Sequence, residues 1–118
     1  MSRDYRLFIQ DILKAIKDID EFTSDMDFEE FCKDLKTHSA VVWKIHIIGE
    51  AVKNIPKFIR DKYKNMPWKY MARMRDKIAH FYFGIDYEIV WDVVKRKLPE
   101  IKPLIEEILK ELEAKNAR

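Results

Sequence analysis

Arg75, His80 and Tyr82 are side chains of the types that act on phosphate, and they lie close together in the chain. A histidine titrating near neutrality can take up and return a proton, which is worth typically ~100- to 10,000-fold in rate. A fixed guanidinium can stabilise charge that builds on phosphoryl oxygens. A phenol can hold a phosphate through its hydroxyl. Together they suit metal-free phosphoryl transfer on RNA, in which a base removes the proton of a ribose 2′-hydroxyl and that oxygen attacks its own phosphate. Other chemistries fit less well. His38, His46, His80 and the single cysteine, Cys32, form no closely spaced set of zinc ligands. His38 follows Asp34 by four residues and His46 precedes Glu50 by four, a common pairing on helix surfaces. The sequence has no Gly-x-Ser-x-Gly and no Gly-x-x-x-x-Gly-Lys. No metal and no cofactor are expected.

The element that must present these groups is a helix predicted from Trp68 to about Tyr82. Trp68, Met71, Arg75, Ile78 and Tyr82 recur every three or four residues, the spacing of one helix face. Arg75 therefore falls on an apolar stripe. Leaving a buried charge unpaired costs on the order of several kcal/mol. Two readings stay open: a structural arginine whose stem packs while its head reaches water or a carboxylate, or a guanidinium held ready for a phosphate. On a straight helix His80 points about 140° away from Arg75, whereas Tyr82 returns to nearly the direction of Arg75. Convergence of Arg75 and His80 requires either a distortion near His80 or a second copy across a two-fold axis, whose shared cleft would gather two of each residue.

The composition sets the frame. The chain has 118 residues, 47% hydrophobic and 37% charged, which suits one globular domain spanning residues 1–118. Gly 2 and Pro 4 leave little material for the turns of a β fold. No apolar run reaches the length of a membrane span, and Met-Ser-Arg-Asp-Tyr-Arg leads straight into an amphipathic pattern rather than a signal peptide. With one cysteine there is no intrachain disulfide framework, so a cytoplasmic protein is expected. The net charge of +2 hides an asymmetry. Residues 1–34 carry ten Asp/Glu against five Lys/Arg, while residues 57–77 carry eight basic side chains against Asp61 and Asp76. That basic run is either a solvated helix face or an attractive field for a polyanion such as RNA.

Periodicity predicts helices throughout. The first should run from about Asp4 to Phe22, with Tyr5, Phe8, Ile9, Ile12, Ile16 and Ile19 inward. Asp27 and Glu30 resemble a capping box that opens a long second helix, Phe28 to Asn54, with Phe28, Leu35, Val42 and Gly49 in a seven-residue repeat. A short helix follows from Pro56 to Tyr63, then the motif helix, for which Gly84 suits the C-terminal cap. Asp86 should cap a helix from Tyr87 to about Lys97. Pro99 and Pro103 should mark a break or kink before a last helix, Pro103 to Lys115. The fold class is all-α: an antiparallel four-to-five-helix bundle, dimerising around the motif helix.

Arg75-x-x-x-x-His80-x-Tyr82 resembles the signature of the HEPN superfamily. Ile48-Gly49-Glu50-Ala51, Pro67-Trp68, Met74-Arg75-Asp76 and the run from Phe83 to Trp91 are similar to its HepT-type members. The resemblance implies a helical bundle that dimerises around the motif, with catalytic Arg75 and His80 and with Asp76 and Tyr82 in support. It implies a metal-independent RNA endonuclease, the toxin of a toxin–antitoxin pair. The antitoxin partner would be a minimal nucleotidyltransferase that transfers AMP to Tyr82. Two positions depart from the family pattern: Asp76 stands where Asn is frequent, where a carboxylate could pair with Arg75 and weaken its grip on phosphate, and Phe81 stands where a small residue is frequent, which would narrow the cleft. The competing readings are a non-catalytic subunit that binds or presents a nucleotide to a nucleotidyltransferase, and a purely structural helical dimer.

Overall fold

The computed structural model describes residues 3–79 and 86–116, and for Arg75, Ile78, Ala79 and Asn116 the backbone alone. Every regular element among the described residues is helical. The first helix, α1 (Tyr5–Thr23), starts where the Asp4 carboxylate accepts from the Arg6 backbone N–H. It buries Ile9, Ile12, Ala15, Ile16 and Ile19, with Tyr5 and Phe8 half-buried beside them. Its far end is closed by two donors: the Thr23 hydroxyl donates to the Ile19 carbonyl at 2.8 Å, and Lys95 Nζ donates to the Thr23 carbonyl at 3.1 Å. A cation at a helix C-terminus also complements the helix dipole.

The predicted capping box is present at α2 (Phe28–Lys33): the Glu30 N–H donates to Asp27 at 2.8 Å, and Glu30 accepts from the Asp27 N–H at 3.2 Å. The long helix predicted from Phe28 to Asn54 is interrupted. Asp34 ends α2 and caps α3 (Leu35–Lys53), its carboxylate accepting from the Thr37 N–H at 3.0 Å and the Thr37 hydroxyl at 2.8 Å. A short acidic side chain that bonds to the backbone three residues on competes with helix continuation, and here it wins. The break removes the basis for the seven-residue repeat. Leu35 is 71% exposed, and the inward line is His38, Val41, Ile45, Ile48, Gly49 and Val52. Helix α3 packs against α1 and α5, and α1 packs in turn against the C-terminal helix. Gly49 is buried in this central helix, where it omits a side chain between packed elements.

A short α4 (Lys57–Lys62) follows Pro56, which takes the cap position rather than the first turn. Helix α5 (Trp68–Ala79) carries the start of the motif; the predicted end of this helix, and Gly84 as its cap, lie outside the described residues. Asp86 caps α6 (Tyr87–Asp92) as predicted, accepting from the Ile89 N–H at 3.1 Å. The break predicted at Pro99 and Pro103 is absent. Instead α6 continues through a π-turn (Val93–Lys97) into α7 (Leu98–Asn116), with Pro103 inside the helix. Proline lacks the N–H of the helix ladder, and its ring presses on the carbonyl four residues back, which for Pro99 is that of Lys95. The wide turn ends with the Leu98 N–H bonded to the Val93 carbonyl, five residues back, and so relaxes the backbone where that clash would fall. The long elements are thus α1, α3, α5 and the joined run Tyr87–Asn116, an all-α bundle.

Candidate active site

Helix α5 is fixed at its start. Trp68 is buried, and its indole N–H donates to the Tyr63 carbonyl at 3.1 Å. Tyr63 is tied to the C-terminal helix by its hydroxyl, which donates to Glu111 at 2.6 Å. Burial, with Glu111 second, pushes the Tyr63 phenol up to about 12. Further along, Met71 and Met74 are buried in the common core. The inward line of α5 therefore passes through Trp68, Met71 and Met74. The predicted stripe runs through Arg75 instead and omits Met74. Methionine has the flexibility to fill an irregular gap, which makes its burial hard to read from spacing.

Arg75 lies in α5, one residue beyond Met74. Its neighbour Asp76 meets Lys53 of α3, with Nζ–Oδ1 3.4 Å. His80 and Tyr82 lie outside the described residues, as does Phe81. Lys53 was not singled out in the sequence, because its partner is 23 positions away and on another helix.

The basic segment is resolved into neutralised and open charges. Lys57 pairs with Asp61 at 2.8 Å, and Lys53 with Asp76. Lys69, Arg73 and Lys77 are exposed on α5 at four-residue intervals, and among the described residues no carboxylate pairs with them. Beside this row, between α5 and α6, lies a groove of about 440 Å³ whose lining includes Tyr70, Met74, Ile89, Val90 and Val93.

The other two histidines, His38 and His46, lie on α3. His38 is buried, against the rings of Phe31 at 6.0 Å and Tyr87 at 4.9 Å, and its Nδ1 has no partner among the described residues. It is not the surface partner of Asp34 that the four-residue spacing suggests. The Asp34 carboxyl is held below its ordinary range mainly by the Thr37 backbone N–H, then by the Thr37 hydroxyl, with His38 a lesser contributor. His46 stacks on the exposed Trp43 ring at 5.3 Å. Among the described residues no group of three or more His, Cys, Asp or Glu side chains is placed to hold a metal ion, and no helix is long and apolar enough to cross a membrane.

The family model described as "Ribonuclease HepT-like" matches residues 12–108. This chain belongs to the HepT-like family. The match covers the described core from α1 to α7 and contains Arg75, His80 and Tyr82. Among similar proteins, one of Methanocaldococcus jannaschii named "Putative RNase MJ0127" is 53% identical over 98% of this chain and 95% of its own length. Another from the same organism, named "Putative RNase MJ0125", is 50% identical over 97% of this chain and 98% of its own. A Thermococcus cleftensis protein named "Probable ribonuclease HepT" is 44% identical over 93% of this chain and the whole of its own. No solved structure shows a significant match to the chain. The resemblance drawn from the motif residues therefore holds at the level of the HepT-like family.

Proposed function

We propose that this HepT-like protein is a metal-independent RNA endonuclease, the toxin of a cytoplasmic toxin–antitoxin pair, with Arg75 and His80 in a cleft between two copies of the chain. The observation that carries the reading is the order Arg75-x-x-x-x-His80-x-Tyr82 inside a chain matched to the family over residues 12–108. The names of the relatives, which give them as ribonucleases, support it.

In the proposed reaction His80 removes the proton of a ribose 2′-hydroxyl. The freed oxygen attacks the adjacent phosphorus, a 2′,3′-cyclic phosphate forms, and the bond to the 5′-oxygen of the next nucleotide breaks. That leaving oxygen takes up a proton from water as it departs, and His80 afterwards gives its proton back to solvent. Arg75 stabilises the charge on the non-bridging oxygens through charge-assisted hydrogen bonds. Both bonds made and broken are on phosphate, so the step needs no redox partner. Tyr82 is the acceptor of AMP from a minimal nucleotidyltransferase antitoxin; the added phosphate would occupy Arg75 and the nucleoside would block RNA.

Purified protein in EDTA is expected to cut RNA and leave DNA intact. With the nucleotidyltransferase, ATP and Mg²⁺, adenylyl mass should appear on Tyr82 and cleavage should stop, while Tyr82→Phe escapes both. Failure of a folded, dimeric protein to cut any cellular RNA would overturn the nuclease reading. Adenylylation at Tyr70 or Tyr87 without loss of activity would overturn only the control mechanism.

A further inference from the structure

We infer that the groove between α5 and α6 is a subsite for a single-stranded stretch of RNA, with Lys69, Arg73 and Lys77 as its phosphate track and Tyr70 and Ile89 as its base-facing wall. The inference rests on the ribonuclease reading for the identity of the polyanion and goes beyond it in naming the surface and residues that hold the strand.

Four observations meet here. First, the three cations stand four residues apart on one helix, so each is about 6 Å further along the axis than the last. They form a line rather than a cluster, which suits a repeating charge. Second, all three are exposed, and no carboxylate among the described residues neutralises them. Third, the groove they border is apolar on its other side: Met74, Val90 and Val93 are buried beneath it, and Ile89 is 36% exposed at its edge. A line of positive charge beside an apolar and aromatic wall is the arrangement that takes a single strand, backbone on the cations and bases on the wall. A duplex turns its bases inward and has no use for such a wall.

The fourth observation concerns Tyr70. It is half-buried in the groove, and Lys97 Nζ lies 5.4 Å from its ring centre. Two acidic side chains are near enough to act on the ring: Asp92, which Arg96 meets at 2.9 Å, and Glu100. In the sequence His80 follows Lys77 by three residues. These residues position the substrate and take no part in the bond changes.

The test uses full-length protein carrying His80→Ala, so that binding is read without cleavage, and fluorescent oligouridine as probe. Changing Lys69, Arg73 and Lys77 together to Gln should raise Kd for the single strand roughly tenfold or more. It should also flatten the dependence of log K on log salt by about 2, at roughly 0.7 per phosphate contact on a single strand. Tyr70→Leu should weaken binding and leave that slope unchanged, since stacking is lost while charge is kept. On otherwise wild-type protein the triple change should raise KM and leave kcat nearly intact. Unchanged Kd and slope in a triple variant with native helicity would overturn the inference. So would loss of dimer in sedimentation with RNA binding unchanged, which would make the groove a contact between copies, or a duplex bound as tightly as the single strand. If the wild-type protein cuts no RNA while the charge-dependent binding is seen, the nuclease reading fails and the subsite stands.

Discussion

Lys53 of α3 and Asp76 of α5 face each other across the packed pair of helices that carries the motif, 3.4 Å between Nζ and Oδ1. Both side chains are more than a third exposed, at 41% and 46%, so the pair is screened by solvent and contributes about 0.5 kcal/mol. Its larger effect is on charge, because Asp76 puts a carboxylate next in sequence to Arg75. Asp76→Asn is expected to leave the melting temperature within about 2 °C of wild type. The same change should lower KM for RNA several-fold. Calorimetry and initial rates on one preparation check both halves, and a higher KM would show that the carboxylate helps substrate binding.

Removing either proposed catalytic group should separate activity from folding. His80→Ala is expected to reduce cleavage by at least ~100-fold, the low end of general acid–base contributions. Arg75→Ala should do the same through lost charge stabilisation. Helicity by circular dichroism should be unchanged in both. Arg75→Ala that unfolds instead would restore the structural reading of that arginine.

Tyr63 links the turn before α5 to α7, and its hydroxyl bond to Glu111 is short at 2.6 Å. Tyr63→Phe should cost about 1.5 kcal/mol, the lower end for a hydrogen bond to a charged acceptor. The phenol is raised to about 12 in the folded protein by burial first and Glu111 second. A group whose folded value exceeds its unfolded value of about 10 stabilises fully below that unfolded value. The contribution is lost as pH rises through 12. Stability of the wild type should therefore fall over that alkaline window, and the Phe variant should lack that part of the slope.

Asp18 ties α1 to α3 through Lys44 at 2.9 Å, with Lys14 beside it at 3.2 Å. Its carboxyl is held below the ordinary value, first by the bond from Lys44 and then, against the opposing effect of burial, by Lys14. The folded value lies below the unfolded one, so the stabilisation is present above about pH 4 and is lost as pH falls through the folded value. Asp18→Asn should reduce the melting temperature at neutral pH by a few degrees and flatten the acid limb of the stability curve. Urea titrations at a series of acidic pH values would show an unchanged limb if Asp18 were idle.

The all-α class, the first helix and two of the caps were legible because each rests on local signals. Asp27 with Glu30, and Asp86 before Tyr87, place a carboxylate three residues from the N–H it accepts. Asp34 carries the same kind of signal three residues before Thr37, but it sits inside a continuous apolar rhythm. The rhythm suggested one helix where the side-chain bond makes two. His38 looked like a surface residue because its spacing to Asp34 is local, whereas its burial depends on Phe31 and Tyr87 arriving from other helices. The same applies to the candidate site. Arg75 and the basic row could be read along the chain, but the pairing of Lys53 with Asp76 and the groove against α6 exist only once helices pack.

The π-turn at Val93–Lys97 makes the joined run Tyr87–Asn116 a matter of phase as well as length. One inward line steps from Val90 to Val94 to Leu98, with Val93 buried beside it, then to Ile101, Ile105, Ile108 and Leu112. Two successive steps of four overshoot a regular α-helix by about 80° in all. The wide turn absorbs that overshoot and keeps both halves facing the same core. Deleting one residue there would let the backbone wind regularly and make the local helix better by its own measure. Seven residues of regular helix cover about 700°, within about 20° of the two turns now spanned, so α7 would keep nearly the same face toward the core. The run therefore carries one residue more than regular winding needs, and homologues one residue shorter should place the difference here, with Ile105 and Ile108 still facing the core.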